Sequence, residues 1–288
     1  MLTVSETAAL LRSFDRILIM THVRPDGDTV GCAAGLCAAL QALGKTAYLL
    51  PNPGLTDTTA PYFAPYAAPA DFVPEKVVST DIAAVGLFPE NAKPYIGAVD
   101  LAIDHHPSFE GFGKANIVRP EAAACGELIL DIIRELTPVT PEIALPLYVA
   151  VSTDTGCFRF ANTTAHTFRV AAACAEGGAR VYQLNQELFE TNTLGKLRMQ
   201  GWIVEHMRLL HCGTMAICAI PRSVELELWK KIRTMAQKGR RTGLGITAEG
   251  DMLAALGLRY GTQEAIDFAV EVQKTLAVEA YRASVKMA

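Results

Sequence analysis

His22, Asp26 and Asp28 fall in one short stretch, Thr21-His-Val-Arg-Pro-Asp-Gly-Asp28. An imidazole and two carboxylates at this spacing suit a divalent cation that accepts both nitrogen and hard oxygen. Taken alone, Pro-Asp-Gly-Asp is merely a turn. Related residues recur downstream, however, as the isolated Asp81, as Asp104-His105-His106 and as Asp154. Carboxylates gathered without counter-charge repel and raise one another's pKa. A pair of divalent cations relieves that repulsion, can share a bridging carboxylate, and neutralises phosphate oxygens in an in-line displacement.

The elements that must position these residues are readable from hydropathy patterning. Ile17–Thr21 is a compact apolar run and reads as a buried strand. A helix from Thr29 to Leu43 follows, ended by Gly44. Ala47–Leu50, Lys76–Thr80, Val99–Ile103 and Asn116–Val118 read as further strands, and Cys157–Phe160 is strand-like. Helices are expected near the N-terminus through Phe14 with Ser5 as cap, and over Pro89–Ile96, Glu121–Leu136, Pro141–Thr153 and Thr163–Glu176. Helix is also expected over Gln183–Phe189, Leu194–Leu210 and Gln263–Val285, with a strand at Thr214–Ile220. Alternating strands and helices predict an α/β fold, a mostly parallel five-stranded sheet flanked by helices, with a smaller C-terminal α/β domain. The expected partition is 1–190 for the domain holding the clusters, 191–211 for a connecting helix and 212–288 for the small domain. In such sheets ligands bind beyond the carboxyl ends of the strands, where the clusters stand.

The chain has 288 residues, half of them apolar, 19% charged, with a net charge of −4. That balance argues against a general nucleic-acid coat protein, which is basic. The seven cysteines are scattered, without a C-x-x-C pair, and are expected to be reduced core thiols of a cytoplasmic protein. No secretory leader or membrane span is expected, since no apolar run is long enough. Lys230, Lys231, Arg233, Lys238, Arg240 and Arg241 form a basic run, followed by glycines. It reads as a solvated insertion, with a substitute phosphate grip as the alternative.

His22-x3-Asp26-x-Asp28, Asp81, Asp104-His105-His106 and Asp154-Thr155-Gly156 resemble, in order, the four motifs of the DHH phosphoesterase superfamily. The surrounding text, including Ser152-Thr-Asp-Thr-Gly-Cys-Phe-Arg-Phe160, is similar to its branch of bifunctional oligoribonucleases and 3′-phosphoadenosine 5′-phosphate phosphatases. The resemblance covers roughly residues 5 to 225. It implies two divalent cations, Mn²⁺, with His22 and Asp26 on one and Asp28 and His105 on the other. Asp81 would bridge and Asp154 would complete the cluster. His106 would face the scissile phosphate, and Asp104 would orient its neighbours. Arg119 and Arg159 are candidate phosphate contacts. The implied substrate is a short oligonucleotide or a nucleoside bisphosphate, hydrolysed by a two-metal mechanism, and a homodimer is compatible with it. A cyclic-dinucleotide or phosphoanhydride hydrolase, or a metal- and nucleotide-binding protein with weak turnover, are the alternatives. The chain departs from the family at Ala122-Ala-Ala-Cys125, where relatives carry a hydroxyl-rich turn. It also lacks the Gly-Gly-Gly-His-type loop that grips substrate, and Trp229–Gly243 reads as an insertion.

Overall fold

The computed structural model describes residues 1–192, 194–218, 256–257, 259 and 262–287. The chain divides into two compact units, Met1–Thr191 and Asn192–Ala288. In the first, the elements run α1 (Val4–Ser13), β1 (Ile17–Met20), α2 (Gly27–Ala42), β2 (Ala47–Leu49), the single turn α3 (Ala60–Phe63) and β3 (Lys76–Thr80). Then follow β4 (Leu101–Asp104), β5 (Ala115–Val118), α4 (Cys125–Leu136), α5 (Pro141–Asp154), α6 (Ala165–Glu176) and α7 (Val181–Asn185). The sheet order is β2-β1-β3-β4-β5, and every pairing is parallel. The chain leaves β1 for β2 on one side and returns to β3 on the other. The strand order therefore reverses between β1 and β3, and a crevice opens there at their carboxyl ends.

Period-two alternation sends Ile17 and Ile19 to one face and Leu18 and Met20 to the other. The first face carries the larger core, under α1, α2, α4 and α5. The second is covered by the 3₁₀ turns of Glu90–Ala98 with Phe88, and by Phe72, Phe109 and Phe112. All four residues of β1 are buried, as suits an inner strand of a doubly covered sheet. Helix α2 is apolar on every side and buried from Gly27 to Leu40, so it is a central helix rather than a surface one. A Cβ at Gly31 would stand 2.2 Å from the Pro146 carbonyl oxygen, so only glycine lets α2 and α5 approach this closely.

Several boundaries differ from expectation. The α1 cap is Thr3, not Ser5, because Thr3 and Glu6 form a reciprocal capping box. Helix α2 starts at Gly27, two residues before Thr29, because Asp26 caps it. Helix α4 starts at Cys125 rather than Glu121. Pro89–Ile96 is 3₁₀ rather than α-helix. Cys157–Phe160 is not a strand. Cys157 and Phe158 take positive φ (58° and 62°), and the amides of Cys157, Arg159 and Phe160 donate to carbonyls of Ser152 and Thr155 at the end of α5. The Phe158 ring stacks on Phe168, which fixes the turn. Phe63 is buried in the core and Tyr62 packs against it.

In the second unit, α8 (Leu194–His206) gives way to an antiparallel pair, β6 (Arg208–Leu210) and β7 (Met215–Ile217). The expected helix through Leu210 therefore stops at His206. A long helix, α9, spans Gln263–Met287. The basic run and the Trp229–Gly243 segment lie outside the described residues. Among the described residues no helix is long and apolar enough to cross a membrane.

Candidate metal centre

Each of the four motifs ends or begins an element at one rim of the sheet. Asp26 caps α2, and its Oδ1 accepts from the amides of Asp28 (3.1 Å) and Thr29 (3.2 Å). The Thr29 hydroxyl donates to the Thr80 carbonyl, which ties this loop to the end of β3. Asp81 follows with φ 58°, a strained conformation for a residue with a Cβ, and its amide donates to the Ile103 carbonyl. Asp104 closes β4. Its Oδ1 accepts from the amides of His105 (2.6 Å) and His106 (3.0 Å) and from His106 Nδ1 (2.8 Å). Asp154 is the last residue of α5, so it reaches the rim from a helix, not from a strand.

These elements bring together His22, Asp26, Asp28, Asp81, Asp104, His105, His106 and Asp154. Three donor groups form: His22/Asp26/Asp81, Asp28/His105/Asp154 and Asp81/His105/His106. His22 Nε2 lies 3.6 Å from Asp26 Oδ1 and 3.9 Å from Asp81 Oδ2. His105 Nε2 stands amid three carboxylates, at 3.5 Å from Asp81, 3.7 Å from Asp28 and 3.8 Å from Asp154. Donors that each sit about 2 Å from one cation lie roughly 3–4 Å apart, so this spacing suits shared ions. The buried Asp81 Oδ1 and Asp104 Oδ2 have no hydrogen-bond partner. A buried acceptor left alone is costly unless a cation meets it.

The supporting contacts fix which atoms face the centre. His105 Nδ1 lies 3.0 Å from the Ala122 carbonyl, a partner that can only accept; the proton is therefore on Nδ1 and Nε2 is free as a ligand. Asp28 is buried and receives the Cys125 amide at 2.7 Å, the Gly126 amide at 3.0 Å and the Cys32 thiol at 3.1 Å. The first amides of α4 thus hold Asp28 through backbone groups, which the alanines of Ala122-Ala-Ala-Cys125 do not disturb.

Burial is the main cause that pushes Asp28 and Asp81 well above the usual carboxylate range, and neighbouring carboxylates add to it. Asp154 is raised by burial as well. Burial also acts on Asp26, but the His22 hydrogen bond and charge and the Thr29 and Asp28 amides outweigh it, and Asp26 is held low. The Asp104 hydrogen bond raises His106.

The cleft over the cluster has a volume of about 300 Å³, with Val23, Ala83 and Leu87 on its apolar side. Neither Arg119 nor Arg159 lines it. Arg119 pairs with Asp131, and Arg159 Nε donates to the Gly156 carbonyl at 2.7 Å. The arginine that does line it is Arg24, inside the first motif. Its place between His22 and Pro25 was the signal that could have singled it out.

Known proteins resemble this chain in sequence and in fold. The model of the DHH family, N-terminal domain, matches residues 16–151. A second model, the ribonucleotide reductase barrel domain, matches residues 209–288, where the sequence departs from DHH text. The chain is 34% identical over 218 residues to the bifunctional oligoribonuclease and PAP phosphatase NrnA of Thermus thermophilus, covering 73% of this chain and 65% of that protein. The chain therefore spans somewhat less than two thirds of that relative's length. It is 25% identical over 221 residues to the protein of the same name from Bacillus subtilis (74% and 69% covered). The solved structure of an exopolyphosphatase-related protein from Bacteroides fragilis superposes with a TM-score of 0.64 at 21% identity, covering 72% of this chain and 66% of that one. The motifs, the sheet that carries them and these relatives make residues 16–151 a match to the DHH family, N-terminal domain, in a chain similar to the NrnA proteins.

Proposed function

We propose that the chain is a phosphoesterase dependent on two divalent cations, Mn²⁺ in this reading, that hydrolyses short oligoribonucleotides and 3′-phosphoadenosine 5′-phosphate. The observation that carries it is the interlocking of two donor groups, His22/Asp26/Asp81 and Asp28/His105/Asp154, through Asp81 and His105, 3.5 Å apart. His22, Asp26 and Asp81 would hold one cation. Asp28, His105 and Asp154 would hold the other, with Asp81 shared. When bound, the pair activates water at neutral pH and offsets charge on phosphoryl oxygens. The chain's own residues do the rest. Ala122 and Asp104 orient the two imidazoles, and Asp28 is aligned by the α4 amides. His105 is mostly buried and suits a ligand. His106 is half-exposed, tied through Nδ1 to Asp104, and suits a hydrogen-bond donor to the phosphoryl or leaving oxygen. The names of the Thermus and Bacillus relatives support this substrate class.

A second reading, a metal- and nucleotide-binding protein with weak turnover, is favoured by the match of residues 209–288 to a different family, in the region where relatives hold their substrate grip. One assay separates the two. Purified protein with Mn²⁺ is given a dinucleotide, 3′-phosphoadenosine 5′-phosphate and a cyclic dinucleotide, and products are resolved by chromatography. Multiple turnovers on the first two establish the esterase. Binding without release of product establishes the second reading, and cleavage of the cyclic dinucleotide alone moves the substrate class.

A further inference from the structure

We infer that Arg24 is the phosphate clamp of this cleft, gripping a substrate phosphate other than the one cleaved. The inference rests on the phosphoesterase reading and narrows it to nucleotides that carry two phosphates.

Arg24 is the one arginine or lysine lining the cleft among the described residues. Its side chain is exposed, and no carboxylate among the described residues lies within ion-pairing distance of it. That separates it from Arg119 and Arg159, whose donors are engaged elsewhere. The guanidinium makes no ion pair with the aspartates of the cluster among the described residues, so the clamp assigns to it not the phosphate held among those aspartates but the next one along the nucleotide.

The backbone under Arg24 is fixed on both sides. The Val23 amide donates to the Leu87 carbonyl at 2.7 Å. Asn52 Nδ2 donates to the His22 carbonyl at 2.8 Å and to Thr21 Oγ1 at 2.9 Å. Asn52 is itself aligned by the Gly54 amide, and a Cβ at Gly54 would stand 2.4 Å from the Val23 oxygen. Pro25 is buried and its ring restricts φ. A rigid base with a free guanidinium is a preorganised fork for a phosphate dianion.

The test compares two ligands that differ by one group, adenosine 3′-phosphorothioate with and without a 5′-phosphate. The sulfur slows cleavage, and binding to the full chain in Mn²⁺ is measured by calorimetry. In wild type the 5′-phosphate should tighten binding by about tenfold or more, Arg24→Ala should lose that gain, and Arg24→Lys should keep part of it. Mn²⁺ affinity measured in the same samples should not differ among the three. A gain that persists in Arg24→Ala, or no gain in wild type, overturns the clamp. Phosphate release from unmodified 3′-phosphoadenosine 5′-phosphate is read separately. No release alongside an Arg24-dependent gain would defeat the esterase reading and leave the clamp standing.

Discussion

Asp28 Oδ2 accepts the backbone amide of Cys125 at 2.7 Å, across 97 residues of sequence. A candidate ligand carboxylate on the first turn of α2 is thereby aligned by the first turn of α4. Because the donor is backbone, the side chain at 125 is dispensable to it. Cys125→Ala should keep Mn²⁺ affinity within about twofold. Cys125→Pro removes the donor and sets the ring Cδ against Asp28 Oδ2, displacing that carboxylate, while the backbone accepts it, since proline is tolerated at the first helical position and Ala124 already has the extended conformation proline requires of its predecessor. It should weaken Mn²⁺ binding by about 10–100-fold, the usual cost of losing a ligand's outer support. Calorimetric Mn²⁺ titration of both variants, with circular dichroism to confirm folding, is the check.

Asp81 combines a place in two of the candidate donor groups with a φ of 58°. Glycine adopts that conformation without a Cβ penalty, whereas alanine retains it. Asp81→Gly and Asp81→Ala should both lose Mn²⁺ and lower phosphate release by about 100-fold or more. In metal-free buffer they should part, with the glycine variant the more stable by about 1 kcal/mol. Equal melting temperatures would mean that the loop relaxes around Asp81, and full metal content in either variant would remove Asp81 from the ligand set.

Much of this centre is legible in sequence for a physical reason. In a parallel sheet the turn after each strand delivers its residues to one rim, so spacing from an apolar run to an acid is enough to place Asp81 and Asp104. The start of α2 was less legible, because Asp26 acts both as candidate ligand and as helix cap, and the cap moves the boundary to Gly27. The Asp28–Cys125 bond leaves no local signal, since its donor is a backbone amide. Cys157–Phe160 has strand-like composition, yet the unpaired carbonyls at the end of α5 capture its amides and fold it into a turn. Arg24 reads in sequence as an ordinary solvated loop arginine, and its place in the cleft is what distinguishes it from Arg119 and Arg159.

The carboxylates make stability depend on pH in opposite senses with and without metal. Asp28, Asp81 and Asp154 are raised in the metal-free fold. A raised acid binds more protons folded than unfolded, so its stabilising contribution is full below the ordinary carboxylate range and is lost as pH rises through the folded value. Metal needs the deprotonated ligands and gains affinity over the same interval. In chelator, the melting temperature should therefore fall as pH rises above about 4. The increment on adding Mn²⁺ should be larger at about pH 8 than at about pH 5. A thermal-shift series over that range checks both. A chelated protein that gains stability steadily across the interval would contradict the raised carboxylates.

His105 and His106 are neighbours with different surroundings, and substitution should separate them. His105 is nearly buried, has its Nδ1 on the Ala122 carbonyl and its Nε2 amid three carboxylates. His106 is half-exposed, with Nδ1 on Asp104. Removing a ligand lowers metal content and rate together, whereas removing a group that meets only the transition state lowers kcat and leaves metal in place. His105→Ala should therefore lose one Mn²⁺ equivalent together with phosphate release. His106→Ala should retain both equivalents and lose kcat by about 10²–10⁴-fold, the range of a general acid–base group. His106→Gln, which can still donate a hydrogen bond but cannot transfer a proton, should recover KM more than kcat. Metal analysis beside steady-state kinetics decides the matter. Loss of the same metal equivalent in both alanine variants would make His106 a ligand and leave the leaving oxygen without a donor from this motif.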